Sequence, residues 1–335
     1  MNFDLSEDQR EIKRTARDLL ADRCPPERVR AVAEGGGPDG ALAAELAELG
    51  WPGIAIPAEH DGLGLGAVEA AALLEELGYA LAGAPLLATA AAAFAIEGAG
   101  SDAQRAEWLP RLAAGSATAT LGIAHGDVAA LVADAEGADA IVLVQDGRAR
   151  LLTAAEAEVS PLETIDPTRR YARVGAPPGA GEPLPGDPAA AVDRAAALAA
   201  AELVGVCQRA LDDTVAYVGE RRQFGRPIGS FQAVAHRCSD MLLAAESARS
   251  AAYFAAWSAD ADPDGLPFAA ALAHSVAATS AREATASAIQ AHGGVGFTWE
   301  ADVHWLYKRA QVASRLFGSV GAARERIAGA VAARG

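Results

Sequence analysis

Two segments in the second half of the chain carry its most informative residues: Glu220-Arg-Arg-Gln-Phe-Gly-Arg-Pro-Ile-Gly-Ser-Phe-Gln232 and Ala288-Ile-Gln-Ala-His-Gly-Gly-Val-Gly-Phe297. In the first, Arg221 ends a long helical pattern, just before Phe224-Gly225 breaks it. A guanidinium there can bind a pyrophosphate through two hydrogen bonds, which lysine does less well. In the second, Gln290 precedes a Gly-Gly pair, and glycine lets backbone approach a ligand closely because it has no Cβ.

Helical patterns surround both segments. Asp187-Pro188 begins the first of them, because aspartate is a good N-cap and proline fits the first helical position. Short breaks then divide the rest of the chain into predicted helices over residues 188–219, 231–258, 267–291, 300–314 and 320–333. The pattern therefore predicts a four-helix-type bundle over residues 187–335.

The N-terminal third of the chain is also predicted to be helical. Ser6 precedes Glu7-Asp8-Gln9, which is a capping-box pattern, and further helices are predicted over 40–49, 67–77 and 101–113. The uncharged stretch Leu77 to Ile96 is too rich in alanine for a membrane span and contains Pro85, so we expect two helices that meet near this proline. Residues 1–115 are predicted to form one helical domain.

A short β region separates the two helical parts. Ala140-Ile-Val-Leu-Val144 and Ala149-Arg-Leu-Leu152 flank Asp146-Gly147, which is a hairpin signal. Residues 175–186 are rich in proline and glycine and are predicted to be a linker without regular structure. The predicted fold is mainly α with a small β domain at residues 116–186.

Composition excludes several classes of function. The 335 residues include 28 Lys+Arg and 44 Asp+Glu, for a formal net charge of −16, which argues against nucleic acid as a partner. Cysteines are widely spaced without a C-x-x-C pair, and the N-terminus shows no basic-then-apolar leader, so a cytoplasmic location is expected. The six histidines form no H-E-x-x-H and no i, i+4 pair, so no metal site is predicted.

The loop Asp61-Gly-Leu-Gly-Leu-Gly66 is the one glycine-rich segment that invites comparison with a phosphate-binding loop. It has the spacing G-x-G-x-G rather than G-x-G-x-x-G, and no strand–helix–strand unit surrounds it. We interpret it as a turn that opens a helix.

The two motif segments, the opening helix and Leu49-Gly-Trp-Pro-Gly-Ile-Ala-Ile-Pro57 together resemble the acyl-CoA dehydrogenase family. The resemblance covers both helical domains and implies FAD as cofactor. In that family the matching positions contact an FAD that is held mainly by a neighbouring subunit, so it also implies an oligomer. The implied FAD-contacting residues are Arg221, Gln223, Phe224, Gln232, Gln290, His292, Gly293 and Gly294.

The resemblance fails where the family's chemistry takes place. The reaction removes an α-proton from a thioester while a β-hydride passes to the flavin, so a carboxylate must stand beside the substrate. Gly318 and Ala195 occupy the two positions at which members carry this base, and Ala196 aligns with a substrate-binding arginine. The T-E-P-G-x-G-S-D-like and W-x-T/S-N segments that cover flavin and substrate are also missing, and the β region is short for the family.

The retained cofactor motifs and the vacant base positions predict a subunit that acts with a different, catalytic acyl-CoA dehydrogenase subunit on an acyl-CoA or carrier-protein thioester. Heteromers of this kind occur in the family, notably in actinobacterial steroid side-chain degradation, so a heterotetramer is implied. One alternative is a self-sufficient flavoenzyme with a relocated base, for which Glu202 and His125 are candidates. The other is a flavin-free scaffolding homologue.

Overall fold

The computed structural model describes residues 4–35 and 39–333. Six α helices come first: α1 (Glu7–Arg23), α2 (Pro26–Gly35), α3 (Gly40–Glu48), α4 (Ala67–Ala80), α5 (Leu86–Ala99) and α6 (Asp102–Ala113). The predicted capping box of α1 is present, because Ser6 Oγ accepts from the Gln9 N–H at 3.1 Å and Gln9 Oε1 accepts from the Ser6 N–H at 2.8 Å. The loop before α4 opens that helix as predicted, whereas α2 was not predicted from the sequence.

Seven strands follow, in two sheets: β1 (Ala119–Ala124), β2 (Val128–Ala133), β3 (Ala140–Gln145), β4 (Arg148–Thr153), β5 (Glu158–Pro161), β6 (Tyr171–Gly175) and β7 (Glu182–Leu184). One sheet has the order β1-β3-β4-β7, with β1 and β3 parallel, and the other has the order β2-β6-β5. The predicted hairpin at Asp146-Gly147 joins β3 to β4. A small apolar core, which includes Val132, Ile141 and Val174, fills this β region.

The predicted linker at 175–186 is wrong in part. Its residues 182–184 form β7, which pairs antiparallel with β4, and Leu184 is buried opposite Ala149. Proline is tolerated because β7 is an edge strand, where one missing N–H donor breaks no ladder on the outer side. Tertiary pairing with β4 therefore overrides the local composition.

Five helices complete the described chain: α7 (Ala189–Glu220), α8 (Gln232–Ala261), α9 (Leu266–His292), α10 (Val303–Ala313) and α11 (Val320–Ala332). A two-stranded hairpin of β8 (Arg222–Gln223) and β9 (Arg226–Pro227) lies between α7 and α8. Helices α7, α8 and α9 pack against one another, and α4 packs against both α7 and α8. The bundle predicted from the helical patterns is confirmed.

The N-terminus of α7 differs slightly from the prediction. Pro188 is the N-cap residue rather than the first helical residue, and the Asp187 carboxylate accepts a hydrogen bond from the Ala189 N–H at 2.9 Å. Aspartate therefore still satisfies one of the unpaired amides at this helix end.

Helices α4 and α7 cross in direct backbone contact at two glycines. A Cβ on Gly205 would lie 1.8 Å from the carbonyl oxygen of Glu75, and a Cβ on Gly78 would lie 2.0 Å from the carbonyl oxygen of Glu202. These distances leave no room for any side chain, so both positions require glycine. The crossing fixes the N-terminal helices against the long central helix of the bundle.

Five buried charged residues connect the β region to the bundle, and we name them the β–bundle charge cluster: Asp134, Asp166 and Arg169 from the β region, Glu202 from α7 and Arg309 from α10. Their side chains are at most 9% exposed. Arg309 donates from Nε to Asp166 at 2.8 Å and from NH1 to Glu202 at 2.9 Å. The other oxygen of Glu202 accepts from Arg169 at 2.9 Å.

Within the described ranges, no helix combines the length and the apolar character that crossing a bilayer requires.

Gly205→Ala is expected to destabilise the protein by about 3 kcal/mol or more, because the new methyl group cannot fit unless α4 and α7 separate. Gly219→Ala near the end of α7 is the matched control, since its Cβ would meet nothing within 4 Å. The control is expected to be neutral or to stabilise by up to about 1 kcal/mol. Denaturant-induced unfolding followed by circular dichroism measures both, and equal stabilities for the two variants would contradict the close crossing.

Glu202→Gln is expected to lower the stability by about 3 kcal/mol or more, because it leaves Arg169 and Arg309 buried without the carboxylate that both of them contact. Glu220→Gln, at the exposed end of the same helix, serves as the control and is expected to change little. Thermal unfolding of the two variants at neutral pH measures the difference. A Glu202→Gln protein as stable as the control would show that the cluster contributes nothing to folding.

Candidate cofactor-contacting surface

One aromatic contact brings the two sequence motifs together. Tyr217 of α7 stacks on His292 at the end of α9, with ring centroids 4.3 Å apart, and the Tyr217 hydroxyl lies 3.4 Å from the His292 carbonyl oxygen that accepts its hydrogen bond. Arg221 follows one helical turn after Tyr217, and Gly293 directly follows His292. The ends of α7 and α9 therefore present both motifs on one part of the bundle.

The first motif forms a helix end and a tight hairpin. Arg221 is the C-cap of α7, and its carbonyl oxygen accepts from the Ile228 N–H at 2.8 Å, which closes the hairpin loop. Phe224 and Gly225 at the tip have positive φ angles of 52° and 81°. Phe224 is 91% exposed, an unusual position for a phenylalanine, and its ring lies nearly perpendicular to that of Phe231, with centroids 6.1 Å apart. The hairpin thus projects an aromatic ring into solvent beside a helix end.

The second motif exposes backbone at the end of α9. Gly293 has φ 65° and ψ −141°, a conformation that side chains rarely adopt. A Cβ on Gly293 or on Gly294 would meet nothing within 4 Å, so the backbone of both residues is open to a ligand. The Gln290 side chain, one turn earlier, is exposed as well.

The surface around the hairpin is positive in a strongly acidic protein. Arg221, Arg222 and Arg226 are exposed, and none of them forms an ion pair with any residue in the described ranges. Arg226 lies over the ring of Phe231, 4.0 Å from its centroid. Unpaired guanidinium groups close together in the chain attract an anion, and phosphate groups match their planar donor geometry.

The remaining predicted contact residues differ in their exposure and in their hydrogen-bond partners. The Gln223 amide donates to the Arg222 carbonyl oxygen at 2.9 Å, and the Gln232 amide lies 3.4 Å from the His236 ring nitrogen, both at exposed positions. His292 is buried, and its Nδ1 lies 2.8 Å from the Ala288 carbonyl oxygen. The His292 ring therefore holds the two helix ends together.

Neither predicted base position holds an acid. Gly318 is exposed in the turn between α10 and α11 with φ 143°, and the residue directly before it is Phe317, with φ 59°. Ala195 and Ala196 are buried on α7. The turn and the start of α7 thus place no carboxylate at any of these four positions.

The two candidates for a relocated base are not positioned alike. Glu202 is buried in the β–bundle charge cluster, where both its oxygens accept hydrogen bonds from arginine. His125 is exposed at the edge of the β region, where its backbone forms an isolated antiparallel bridge with that of Val128. Glu246 and Arg249 form an ion pair with each other on α8.

A buried histidine that the sequence did not indicate lies beneath the turn. His274 of α9 lies beside the backbone of Gly318, and burial lowers the pKa of its imidazole. Sequence reasoning missed it because it stands in an alanine-rich helix without a motif around it.

Large apolar side chains are exposed on the same helices and loops as the two motifs. They are Val215, Phe224, Leu242, Leu243, Phe297 and Trp299, between 49% and 91% exposed. Trp299 also contacts Lys308, whose Nζ lies 4.3 Å from the ring centroid. No group of three or more His, Cys, Asp or Glu side chains in residues 4–35 and 39–333 is arranged to hold a metal ion.

Family models match most of the chain. The model described as acyl-CoA dehydrogenase, N-terminal domain, matches residues 6–116, and the one described as acyl-CoA dehydrogenase, C-terminal domain, matches residues 189–332. The chain is similar to the acyl-CoA dehydrogenase IpdE2 of Mycobacterium tuberculosis, with 38% identity over 93% of this chain and 94% of the relative. The IpdE2 of Mycolicibacterium smegmatis is 37% identical over 94% of this chain and 96% of its own length.

Two solved structures share the whole architecture. A chain of the ChsE4-ChsE5 complex from Mycobacterium tuberculosis matches with a TM-score of 0.90 and 25% identity, covering 99% of each chain. A chain of the Tcur3481-Tcur3483 steroid ACAD G363A variant matches with a TM-score of 0.89 and 28% identity, covering 97% of this chain and 98% of that one. By fold, by motifs and by sequence similarity, this chain belongs to the acyl-CoA dehydrogenase family.

Proposed function

We propose that this chain is a subunit of an FAD-dependent acyl-CoA dehydrogenase and contributes contacts to an FAD whose flavin lies in a catalytic partner subunit. One observation carries the proposal: the surface of Arg221, Phe224 and Gly293-Gly294 is open and positively charged, while Gly318 and Ala195 stand where the base is expected. The combination suits a chain that binds the nucleotide end of a cofactor and leaves proton removal to another subunit.

The residues of this surface fit the nucleotide end of FAD. Arg221 and Arg222 are exposed guanidiniums without an ion-pair partner in the described chain, so they can neutralise a pyrophosphate. The open backbone at Gly293 and Gly294 can approach the phosphates or ribose, and Phe224 offers a ring for packing. When bound, FAD supplies the acceptor for the substrate's β-hydride. This chain's part is to hold and orient that cofactor.

The exposed apolar residues support a partner chain. Side chains as large as Phe224, Leu243 and Trp299 are exposed on these elements, and exposed apolar surface of this kind is typical of interaction sites. The residues belong to the helices and loops that carry the cofactor motifs. An interface there would bury them and bring the motifs against the partner's cofactor in one step.

The similar proteins support both the heteromer and the class of substrate. The ChsE4-ChsE5 complex names two different chains, and the Tcur3481-Tcur3483 protein is described as a steroid ACAD. We therefore extend the proposal to a cytoplasmic heterotetramer that desaturates an acyl thioester of steroid origin. Acyl-CoA is the preferred form of the thioester, and a carrier-protein thioester is the alternative.

Changing Arg221→Ala is expected to weaken FAD binding by the assembled complex about 10-fold or more, because one charge-assisted contact to the pyrophosphate is lost. The complex is isolated through a tag on this chain, and its FAD content is measured by flavin absorbance after stepwise dilution. Arg148→Ala, at the exposed first residue of β4, is the matched control and is expected to retain FAD like the wild type. Equal FAD content in the complexes of the two variants would show that Arg221 does not contact the cofactor.

Changing Leu243→Asp is expected to prevent association with the partner, because a carboxylate on a 68% exposed leucine leaves the isolated chain folded but cannot be buried in an interface. Val331→Asp on α11, where the valine is 58% exposed, is the control and should leave the complex intact. Light scattering of the tagged complexes reports the mass.

Should the wild-type chain instead desaturate acyl-CoA by itself with full FAD content, the chain would be a self-sufficient enzyme and the proposal would be wrong.

A further inference from the structure

The β–bundle charge cluster contains more acids than bases. Its three carboxylates, on Asp134, Asp166 and Glu202, face two guanidiniums, on Arg169 and Arg309. If all five groups were charged, the buried cluster would carry one net negative charge. A buried charge without compensation is costly, and proteins commonly neutralise it by taking up a proton.

Two of the carboxylates accept hydrogen bonds at both of their oxygens. Asp166 accepts from Arg309 Nε at 2.8 Å and from the Tyr171 hydroxyl at 2.9 Å, and its other oxygen accepts from the Thr168 N–H at 3.0 Å. Each oxygen of Glu202 accepts from one arginine at 2.9 Å. These five hydrogen bonds give every oxygen of the two carboxylates a donor.

Asp134 is the member of the cluster whose Oδ2 atom accepts no hydrogen bond from the described residues. Its Oδ2 lies 3.5 Å from Arg169 Nε, and neither atom has a hydrogen-bond partner among the described residues. The backbone holds the side chain in place, because Asp134 has φ 53° and its N–H donates to the Arg170 carbonyl oxygen at 2.9 Å. The surplus acid therefore sits at the end of β2, inside the junction between the β region and the bundle.

The surroundings of Asp134 determine when it gains a proton. The pKa of its carboxyl is raised to about 6, chiefly by burial; Arg169 and Arg309 lower it, and the nearby carboxylates of Glu202 and Asp166 raise it. Tyr171 is also buried in the cluster, and burial raises the pKa of its hydroxyl well above the usual value, so it stays neutral. These groups come from β6, the loop before it, α7 and α10.

We propose that Asp134 is the proton-holding member of the β–bundle charge cluster and that its protonation tightens the attachment of the β region to α7 and α10. A neutral Asp134 can donate a hydrogen bond and leaves two guanidiniums matched by two carboxylates. An ionised Asp134 adds a charge that the dry junction does not balance. The attachment of the β region to α7 and α10 is then stronger at low pH than at high pH. This inference does not depend on the proposed function.

The direction of the pH dependence follows from the raised pKa. Between the ordinary pKa of an aspartate, near 4, and about 6, the folded protein holds a proton that the unfolded chain does not. The contribution of Asp134 to stability therefore falls as the pH rises through this window and is constant above it.

Asp134→Asn is the central variant, because asparagine resembles the protonated acid in shape and tolerates a positive φ. At pH 5, midway through this window, it should melt about 2 °C above the wild type, and at pH 7.5 it should melt about 5 °C above it, because only at the higher pH is the full cost of the extra buried charge present. Asp127→Asn, exposed in the β1–β2 turn, is the control and should show the same difference from the wild type at both pH values. A Tm difference for Asp134→Asn that does not change with pH would overturn the proposal.

A second measurement uses only the wild type, so a variant that fails to fold leaves the proposal testable. Amide hydrogen exchange, corrected for intrinsic rates, is compared at pH 5.5 and pH 7.5 for β2 and β6 and for α8, which lies away from the cluster. Protection of β2 and β6 should fall at least several-fold more than that of α8 at the higher pH. Equal changes in the strands and in α8 would contradict the role proposed for Asp134.

Discussion

The contact of Arg309 with both Asp166 and Glu202 is the interaction on which the assembled fold depends most. It is completely buried, and it joins α10, α7 and the loop before β6, which are far apart in the chain. Breaking such a pair leaves an uncompensated charge in a dry interior, which is far more harmful than losing a surface ion pair. Glu202 lies on the same helix as Gly205, so the charge cluster and the α4–α7 crossing use adjacent turns of α7.

Helix α7 consequently organises all three parts of the molecule. Its middle contacts the N-terminal helices through the glycine crossing and the β region through Glu202. Its C-terminal end holds Tyr217, which stacks on His292, and then Arg221. The surface proposed to contact a cofactor is therefore built on the helix that joins the three parts of the molecule. Its position relative to the rest of the fold is set by buried contacts rather than by the hairpin itself.

Local signals in the sequence were sufficient for most elements but not for the long-range contacts. The capping box at Ser6 and the Asp146-Gly147 turn identify their helix and hairpin because the stabilising bonds lie within a few residues. Strand β7 was missed because its reason for being a strand is β4, some thirty residues earlier. The two motif segments could be identified from the sequence because their arginine and glycine residues are suited to binding a phosphate-containing ligand. His274 and the charge cluster were not found, since the partners of Arg309 lie 143 and 107 residues away.

The stack of Tyr217 on His292 has a consequence for affinity. Because this stack joins the ends of α7 and α9, the backbones of Arg221 and Gly293-Gly294 are positioned on one part of the bundle when the chain folds, before any ligand arrives. Association then requires little further loss of conformational entropy from these residues, which is the advantage of preorganisation. For the proposed dinucleotide, loss of this aromatic contact would raise the dissociation rate.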